Sequence, residues 1–171
     1  MNPIEPFEQL PDHARIRIYA AERLLDEGEE RKVIDLLNSF CGEWRSHGRP
    51  VTSGAAMIES RFAIIAGVIP DGDISGCGID ASVHALDRAA EELDFRWLPA
   101  LAVHFRGEDG TIFSVSRPEF RELSRAGQID AATPVFDLSI PSVKELRDGK
   151  LERPAGSTWH ERVFHLSVPL V

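Results

Sequence analysis

The amino-acid sequence predicts an α+β fold on three observations. The segment FAIIAGVI at 62–69 is short, apolar and β-branched, and it is closed by turn residues, which is typical of a buried strand. Two longer stretches, 33–44 and 79–93, carry apolar residues at helical spacing. Hydrophobic residues make up 43% and charged residues 27% of the 171-residue chain, which indicates a globular domain rather than a disordered chain.

The chain begins with a predicted strand and helix. Residues 14–21 alternate between apolar and polar side chains, which predicts a strand with one covered face. The acidic turn at 26–30 suits the start of a helix, because negative charge there complements the helix dipole. We expect this helix to end near Gly48, with Pro50 shortly after it.

A hairpin, a second helix and a further strand follow. The weaker strand 51–58 leads into the strand 62–69, and residues 98–105 form the strand after the second helix. We expect that helix to start near Ile79 or Asp80. Its apolar stripe consists of Ile79, Val83, Leu86, Ala90 and Leu93.

The resulting order, β-α-β-β-α-β, is the split βαβ or ferredoxin-like pattern, and we assign it to residues 1–107. We expect a four-stranded sheet with an exposed face or edge. In this topology the turn after the first helix (44–50) and the loop before the second helix (71–80) lie at the same end of the sheet. These two segments are therefore predicted to be neighbours.

Residues 108–171 are predicted to form a small α/β appendage packed on this domain. A hairpin turn leads into a strand at 111–115, and a Ser-x-x-Glu capping box at 116–119 opens a helix. A strand at 133–136 then precedes a second capped segment at 142–149.

Composition excludes several classes of partner. The net charge is −9 and there is no Lys/Arg tract, so we expect no nucleic-acid or membrane partner. The N-terminal segment is acidic and broken by prolines, unlike a secretory leader, and no apolar stretch approaches the roughly 20 residues that span a bilayer. Cys41 and Cys77 do not make a disulfide framework. The sequence thus predicts a cytoplasmic, reduced protein without a cofactor.

Motifs along nearly the full length resemble a family of uncharacterised bacterial proteins that are often labelled "ABC transporter ATPase". The resemblance implies a shared domain but no particular chemistry. It is carried by Pro6-Phe7, Arg17-Ile-Tyr19, Phe40, Trp44, His47-Gly48, Arg61-Phe62, Gly76-Cys77, Ile79-Asp80, Ser82-Val83, Trp159-His160 and Arg162.

The ATPase label does not fit the residues. A transporter ATPase needs a G-x-x-x-x-G-K-[ST] loop, whose amides and lysine hold the nucleotide phosphates. The glycine-bearing loop at 71–78 has no lysine and carries two carboxylates that would repel phosphate. We therefore predict that the protein is not an ATPase.

A second resemblance covers about 111–136. Glu119, Leu123, Gly127-Gln-Ile129, Thr133 and Val135 are similar to the small GYF-like module that occurs as a second domain in bacterial proteins. The aromatic residue that usually follows the last strand and the Gly-Pro signature of that module are missing here, so proline-peptide binding is not carried over.

The loop around Cys77 is the first candidate site. A thiol at a helix N-terminus is activated by the helix dipole and free amides, and Gly76 and Gly78 would let a ligand approach the backbone. Asp80 would be the second catalytic group. Alternatively, Cys77 is a small apolar residue, the glycines make the turn, and Asp80 caps the helix.

His47 is the third candidate catalytic residue, because it lies near the predicted end of the first helix and opposite the Cys77 loop. A histidine there is also explained by favourable interaction with the helix dipole. Trp44 is either a ligand-stacking platform or part of the core. His84 follows Asp80 by four residues, a spacing that could hold a metal, but no third ligand is evident.

Trp159, His160 and Arg162 form the last candidate group. They combine aromatic and cationic chemistry late in the chain, and they could close a ligand site. Alternatively, the tail docks through Trp159 while Arg162 pairs with an acid.

Two functions remain open at this point. The first is a non-catalytic binding or interaction module that contacts a protein partner or itself, as in an oligomer. The alternative is a small-ligand-binding protein or thiol-dependent enzyme at the Gly-Cys-Gly-Ile-Asp loop. We favour the first, because no nucleophile and base occur at a specific spacing and fold alone does not imply chemistry.

Overall fold

The computed structural model describes residues 2–169 and shows a mixed α+β fold, which confirms the predicted class. Within these residues there are five α-helices and three antiparallel sheets. The helices are α1 (Glu27–Glu43), α2 (Gly76–Glu92), α3 (Arg117–Arg125), α4 (Val143–Arg147) and α5 (Trp159–Phe164). The strands are β1 (Arg15–Ala20), β2 (Arg45–Ser46), β3 (Arg49–Pro50), β4 (Thr52–Ile58), β5 (Phe62–Val68), β6 (Val103–Arg106), β7 (Ile112–Val115), β8 (Pro134–Phe136) and β9 (Glu152–Pro154).

The chain folds into two compact units that differ from the division at residue 107. The first unit contains the described residues up to Leu98 together with Ser139–Asp148. The second unit contains Pro99–Leu138 and the described residues from Gly149 onward. The segment Ser139–Asp148 therefore belongs to the first unit although it lies within the predicted appendage.

The sheet of the first unit has the strand order β1-β5-β4, with β5 antiparallel to both neighbours. Ile18 and Ala56 both face Ile64 across the ladders, so the register places apolar residues side by side on the central strand.

The predicted fourth strand at 98–105 was wrong for this sheet. The corresponding strand, β6, lies in the sheet of the second unit. Beside β1 the chain makes two isolated antiparallel bridges, one between Arg15 and Ser142 and one between Ala21 and Trp97. At the second bridge, Leu98 donates its amide to the Ala20 carbonyl over 2.8 Å. Pro99 follows at once, and the ladder ends there because proline has no amide hydrogen to donate.

One face of this sheet packs against α1 and α2. The helices contribute fully buried side chains such as Val33, Leu37 and Leu86, and the sheet contributes Ile65. Trp44 joins the same cluster, packed where Gly67 leaves room for its ring. Burial of these apolar side chains stabilises the first unit.

The other face of the sheet is also covered, with Ile18 and Ile64 buried, so of the expected exposed face or edge the exposed face was wrong. A Cβ atom on Gly54 would collide with the Pro6 carbonyl oxygen, which shows how closely the turn Glu5–Phe7 approaches β4. At the β1 edge, Ile16 donates its amide to the Pro141 carbonyl over 3.1 Å, and Val143 donates its amide to the Ala14 carbonyl over 2.9 Å.

The second unit is built on a four-stranded sheet in the order β7-β6-β8-β9. Helix α3 begins at the predicted capping box, in which Ser116 and Glu119 each bond the other's backbone amide. It buries Phe120 against the sheet residue Val135 and the α5 residue Phe164. The predicted strands at 111–115 and 133–136 are confirmed as β7 and β8.

Between residues 2 and 169, the helices are all too short or too polar to cross a lipid bilayer.

Candidate functional site

The β2–β3 hairpin and the N-terminus of α2 meet in the first unit. The indole Nε1 of Trp44 donates a hydrogen bond of 2.8 Å to the Gly78 carbonyl oxygen. The Ser75 amide donates to the Ser46 hydroxyl oxygen, also over 2.8 Å, and Ser46 is buried. The prediction that segments 44–50 and 71–80 are neighbours is thus confirmed.

His47 lies at the tip of this hairpin and not at a helix end. Helix α1 ends at Glu43, and Trp44 is already extended. His47 and Gly48 have φ angles of 52° and 75°, as in the two-residue turns that join antiparallel strands. The prediction of a helix end at Gly48 was wrong, because the His-Gly pair serves as a hairpin turn. The side chain of His47 is exposed.

Helix α2 begins at Gly76, earlier than predicted. Its cap is Ser75, whose hydroxyl oxygen accepts a hydrogen bond of 3.1 Å from the Gly78 amide. Asp80 is therefore inside the helix and is not its cap, which corrects that prediction. The glycines suggested a loop, but both of them lie in the first helical turn.

The two glycines of this turn are not equivalent. A Cβ atom on Gly78 would lie 2.8 Å from Cγ2 of Ile74, so this glycine leaves room for the Ile74 side chain just before the helix. A Cβ atom on Gly76 would meet nothing within 4 Å. Gly76 is thus free of packing constraints.

The side chains of Cys77 and Asp80 are exposed, as is that of His47. No hydrogen bond among residues 2–169 joins any two of these three side chains. These three predicted catalytic groups therefore do not form a nucleophile–base pair, which is the arrangement that nucleophilic catalysis requires.

Trp44 and His84 are explained without a ligand. Trp44 is 6% exposed and packs on Phe40 with ring centroids 5.1 Å apart, so it is a core residue and not an open stacking platform. His84 is exposed on α2, and the part of the chain that the structure describes contains no group of three metal-ligating side chains.

Trp159, His160 and Arg162 lie on α5 in the second unit. The ring of Trp159 stacks on that of His160 with a centroid distance of 3.8 Å, and its Nε1 donates a hydrogen bond of 3.2 Å to Asp137. The guanidinium of Arg117 lies 5.2 Å from the centre of the Trp159 ring. Through these contacts Trp159 anchors α5 to other residues of the second unit. Arg162 is exposed and, within residues 2–169, forms no ion pair.

His160 is the most deeply buried titratable group of this unit. It is 1% exposed, and its Nδ1 lies 2.7 Å from the Thr158 hydroxyl oxygen, while its Nε2 is buried without a hydrogen-bond partner among the described residues. Burial is the main cause that lowers the pKa of His160 to about 4; Asp137 opposes this shift, and the nearby cations Arg117 and Arg153 add to it. The imidazole is therefore neutral at physiological pH.

A cleft of about 280 Å³ opens in the second unit between α3 and the segment that follows α5. Its lining consists of two arginines, a histidine, two serines and two apolar residues, and it includes no acid. These residues are Arg121, Ser124, Arg125, Val163, Phe164, His165 and Ser167.

None of the sequence patterns described above predicted this cleft. The available signal was the i, i+4 spacing of Arg121 and Arg125 on α3, with Ser124 between them, which places all three on one side of a helix. The other wall of the cleft, formed by residues 163–167, has no comparable pattern in the sequence. His165 is held in a left-handed conformation with φ of 50°, and it turns the chain after α5 toward Ser167.

Comparisons of the chain with protein-family models, curated proteins and solved structures find no match. The two resemblances drawn from sequence motifs therefore stay predictions, and any function has to be argued from the geometry described above.

Proposed function

We propose that this protein is a non-catalytic binding module that holds an acidic segment of a protein partner in the cleft of its second unit. The observation that carries the proposal is the cationic lining of this cleft in a chain whose net charge is −9. Arg121, Arg125 and His165 concentrate hydrogen-bond donors in a concave surface. Such a surface attracts negatively charged ligands.

Arg121 is the best-placed residue for this role. Its guanidinium lies 5.6 Å from the centre of the Phe164 ring, which holds it against the cleft wall. No carboxylate among residues 2–169 pairs with it. An arginine that is positioned by an aromatic ring and lacks an acidic partner is ready to bind a carboxylate from another molecule.

A protein segment suits this cleft better than a small apolar ligand. Val163 is 37% exposed beside the charged residues, so an apolar side chain of the partner would have a contact there. Acidic motifs recognised by arginine clusters combine contacts of these two kinds.

Binding of a fluorescently labelled oligoglutamate peptide, measured by anisotropy at low salt, tests this proposal. We expect saturable binding that weakens as salt is added, because salt screens exposed charges. The double substitution Arg121→Gln with Arg125→Gln should abolish binding. Arg88→Gln, which removes one exposed charge from the first unit, should leave binding intact. Equal loss with Arg88→Gln, or no binding by the wild type, would contradict the proposal.

Self-association is a distinguishable outcome of the same study. Since the chain is itself acidic, a second copy could supply the segment. Sedimentation velocity over a range of protein concentrations separates the two cases. If the protein forms a dimer that dissociates on the substitution Arg121→Gln, the occupant of the cleft is a second copy of this chain and not an external partner.

A second candidate function is thiol chemistry at Cys77. The supporting observation is that this cysteine is exposed in the first turn of α2, where a reagent can reach its sulfur. Cys41 is a poor alternative, because burial raises the pKa of its thiol. Faster reaction of Cys77 than of free cysteine with a thiol reagent, lost in Cys77→Ser, would support this candidate. A rate equal to that of free cysteine would exclude it.

The ferredoxin-like and GYF-like assignments of the two units also remain proposals. We propose that the first unit is a ferredoxin-like domain whose fourth strand is shortened to the Ala21–Trp97 bridge. The GYF-like resemblance of 111–136 is compatible with a ligand-binding second unit, but the proposed cleft does not depend on it. An experimental structure with a full strand from elsewhere beside β1 would contradict the ferredoxin-like assignment.

A further inference from the structure

We infer that the acidic group recognised by the cleft is a phosphorylated side chain. This inference depends on the proposed function, because it names the ligand of the same cleft. It follows from the number and kind of donors that line the cleft, from the charge they carry, and from the one acid that competes for them.

The lining offers more donors than a carboxylate can use. Each arginine presents five N–H groups in a planar fork, and Ser124, Ser167 and His165 add further donors. A carboxylate has two oxygens, whereas a phosphomonoester has three terminal oxygens, each with strong acceptor capacity. The donors of the cleft therefore match a phosphomonoester better than a carboxylate.

The charge of the cleft leads to the same ligand. Two arginines and a histidine line it, and no acid does. A phosphomonoester carries a charge of about −1.5 to −2 at neutral pH, so it neutralises two guanidinium groups where a carboxylate neutralises one. Arginine binds phosphate with two parallel hydrogen bonds, which adds geometric selectivity.

One internal acid competes for these donors. Arg125 Nη1 lies 2.7 Å from Glu122 Oε1, and both side chains are more than two-thirds exposed. Exposed pairs of this kind are weak, so a dianion can displace Glu122 more easily than a single carboxylate can. The pair thus disfavours monoanionic ligands more than it disfavours phosphate.

The test uses three synthetic peptides that differ at one position, which is serine, glutamate or phosphoserine in an acidic context. Isothermal titration on the full chain at constant ionic strength should show the phosphoserine peptide binding about tenfold tighter than the glutamate peptide. Inorganic phosphate should compete with the peptide, whereas acetate at the same ionic strength should not. Competition by phosphate alone, without a preference for the phosphoserine peptide, would mean that the cleft takes free phosphate, and it would overturn the inference.

Variants separate charge from geometry. Arg121→Lys keeps the charge but loses the fork, so the preference for phosphoserine over glutamate should fall to about twofold. Should Arg121→Lys fail to fold, Arg125→Lys provides the same comparison at an exposed position. Equal affinities of the phosphoserine and glutamate peptides would overturn this inference and leave the proposed function standing. Binding of none of the three peptides would overturn both.

Discussion

The Nε1 of Trp44 and the carbonyl oxygen of Gly78 are joined by a buried hydrogen bond of 2.8 Å that links the β2–β3 hairpin to the first turn of α2. The two residues are 34 positions apart in the sequence. The same tryptophan ring packs against Phe40 on α1, so one side chain ties together both helices and the hairpin between them.

Trp44→Phe should therefore destabilise the first unit by about 1 kcal/mol, because it removes the hydrogen bond but keeps an aromatic ring. Urea unfolding followed by circular dichroism measures the change. His47→Asn is a suitable control at the hairpin tip, since asparagine tolerates the left-handed conformation found there. Unchanged stability of Trp44→Phe would show that the hydrogen bond contributes nothing.

The two glycines in the first turn of α2 form a matched pair. Gly78→Ala should destabilise the fold by about 1 kcal/mol or more, because the new methyl group collides with Ile74. Gly76→Ala should be neutral or slightly stabilising, because nothing lies near its Cβ position and alanine favours the helix. Thermal unfolding of both variants under identical conditions checks the pair. The reverse order of stabilities would contradict the close packing of Ile74 against Gly78.

His160 should make stability depend on pH. Its folded-state pKa of about 4 lies below the ordinary value of 6.5, so the unfolded chain takes up a proton at higher pH than the folded chain. The neutral imidazole contributes its full stabilisation above about pH 6.5, and this contribution falls as pH is lowered toward 4, by about 3 kcal/mol in total.

Urea unfolding at about pH 4.5 and about pH 7.5 measures this dependence, with His160→Asn as the non-titrating variant. The wild type should lose more stability than His160→Asn over this interval. An NMR titration of the imidazole C–H signals gives the folded-state pKa directly. Equal pH dependence of the two proteins, or a folded-state pKa near 6.5, would refute the assignment.

Glu122→Gln should strengthen binding of the phosphoserine peptide about two- to fivefold, because it releases Arg125 from a surface ion pair of modest strength. Glu27→Gln is the matched control, since it removes the same charge from the exposed Arg31 pair in the first unit. Isothermal titration compares the two variants. A similar gain with both would indicate a general effect of net charge and not a specific competition.

Local signals in the sequence were sufficient for most of the fold. Alternation of side chains located β1, helical periodicity located α1 and α2, and the Ser116–Glu119 capping box located the start of α3. These features depend on interactions between residues close in sequence, which a single chain displays directly.

Features that depend on distant residues were less accessible. Nothing near Ser139–Asp148 indicates that this segment packs in the first unit, because its partners Ala14 and Ile16 are more than a hundred residues away. The start of α2 was misplaced because two glycines outweighed Ser75 as a helix signal. The cleft was missed because its two walls, at 121–125 and 163–167, are joined only by the tertiary fold.

The return of Ser139–Asp148 to the first unit means that the backbone passes from one unit to the other three times. No single cut can release either unit whole. A fragment ending at residue 98 or 107 would lack the amides and carbonyls that pair with Ala14 and Ile16, and it would expose the isoleucines of β1 to water. Expression of residues 1–98 or 1–107 alone should therefore give aggregation-prone material. A variant in which a short linker joins residue 98 to the segment 139–148 should keep that segment paired with Ala14 and Ile16.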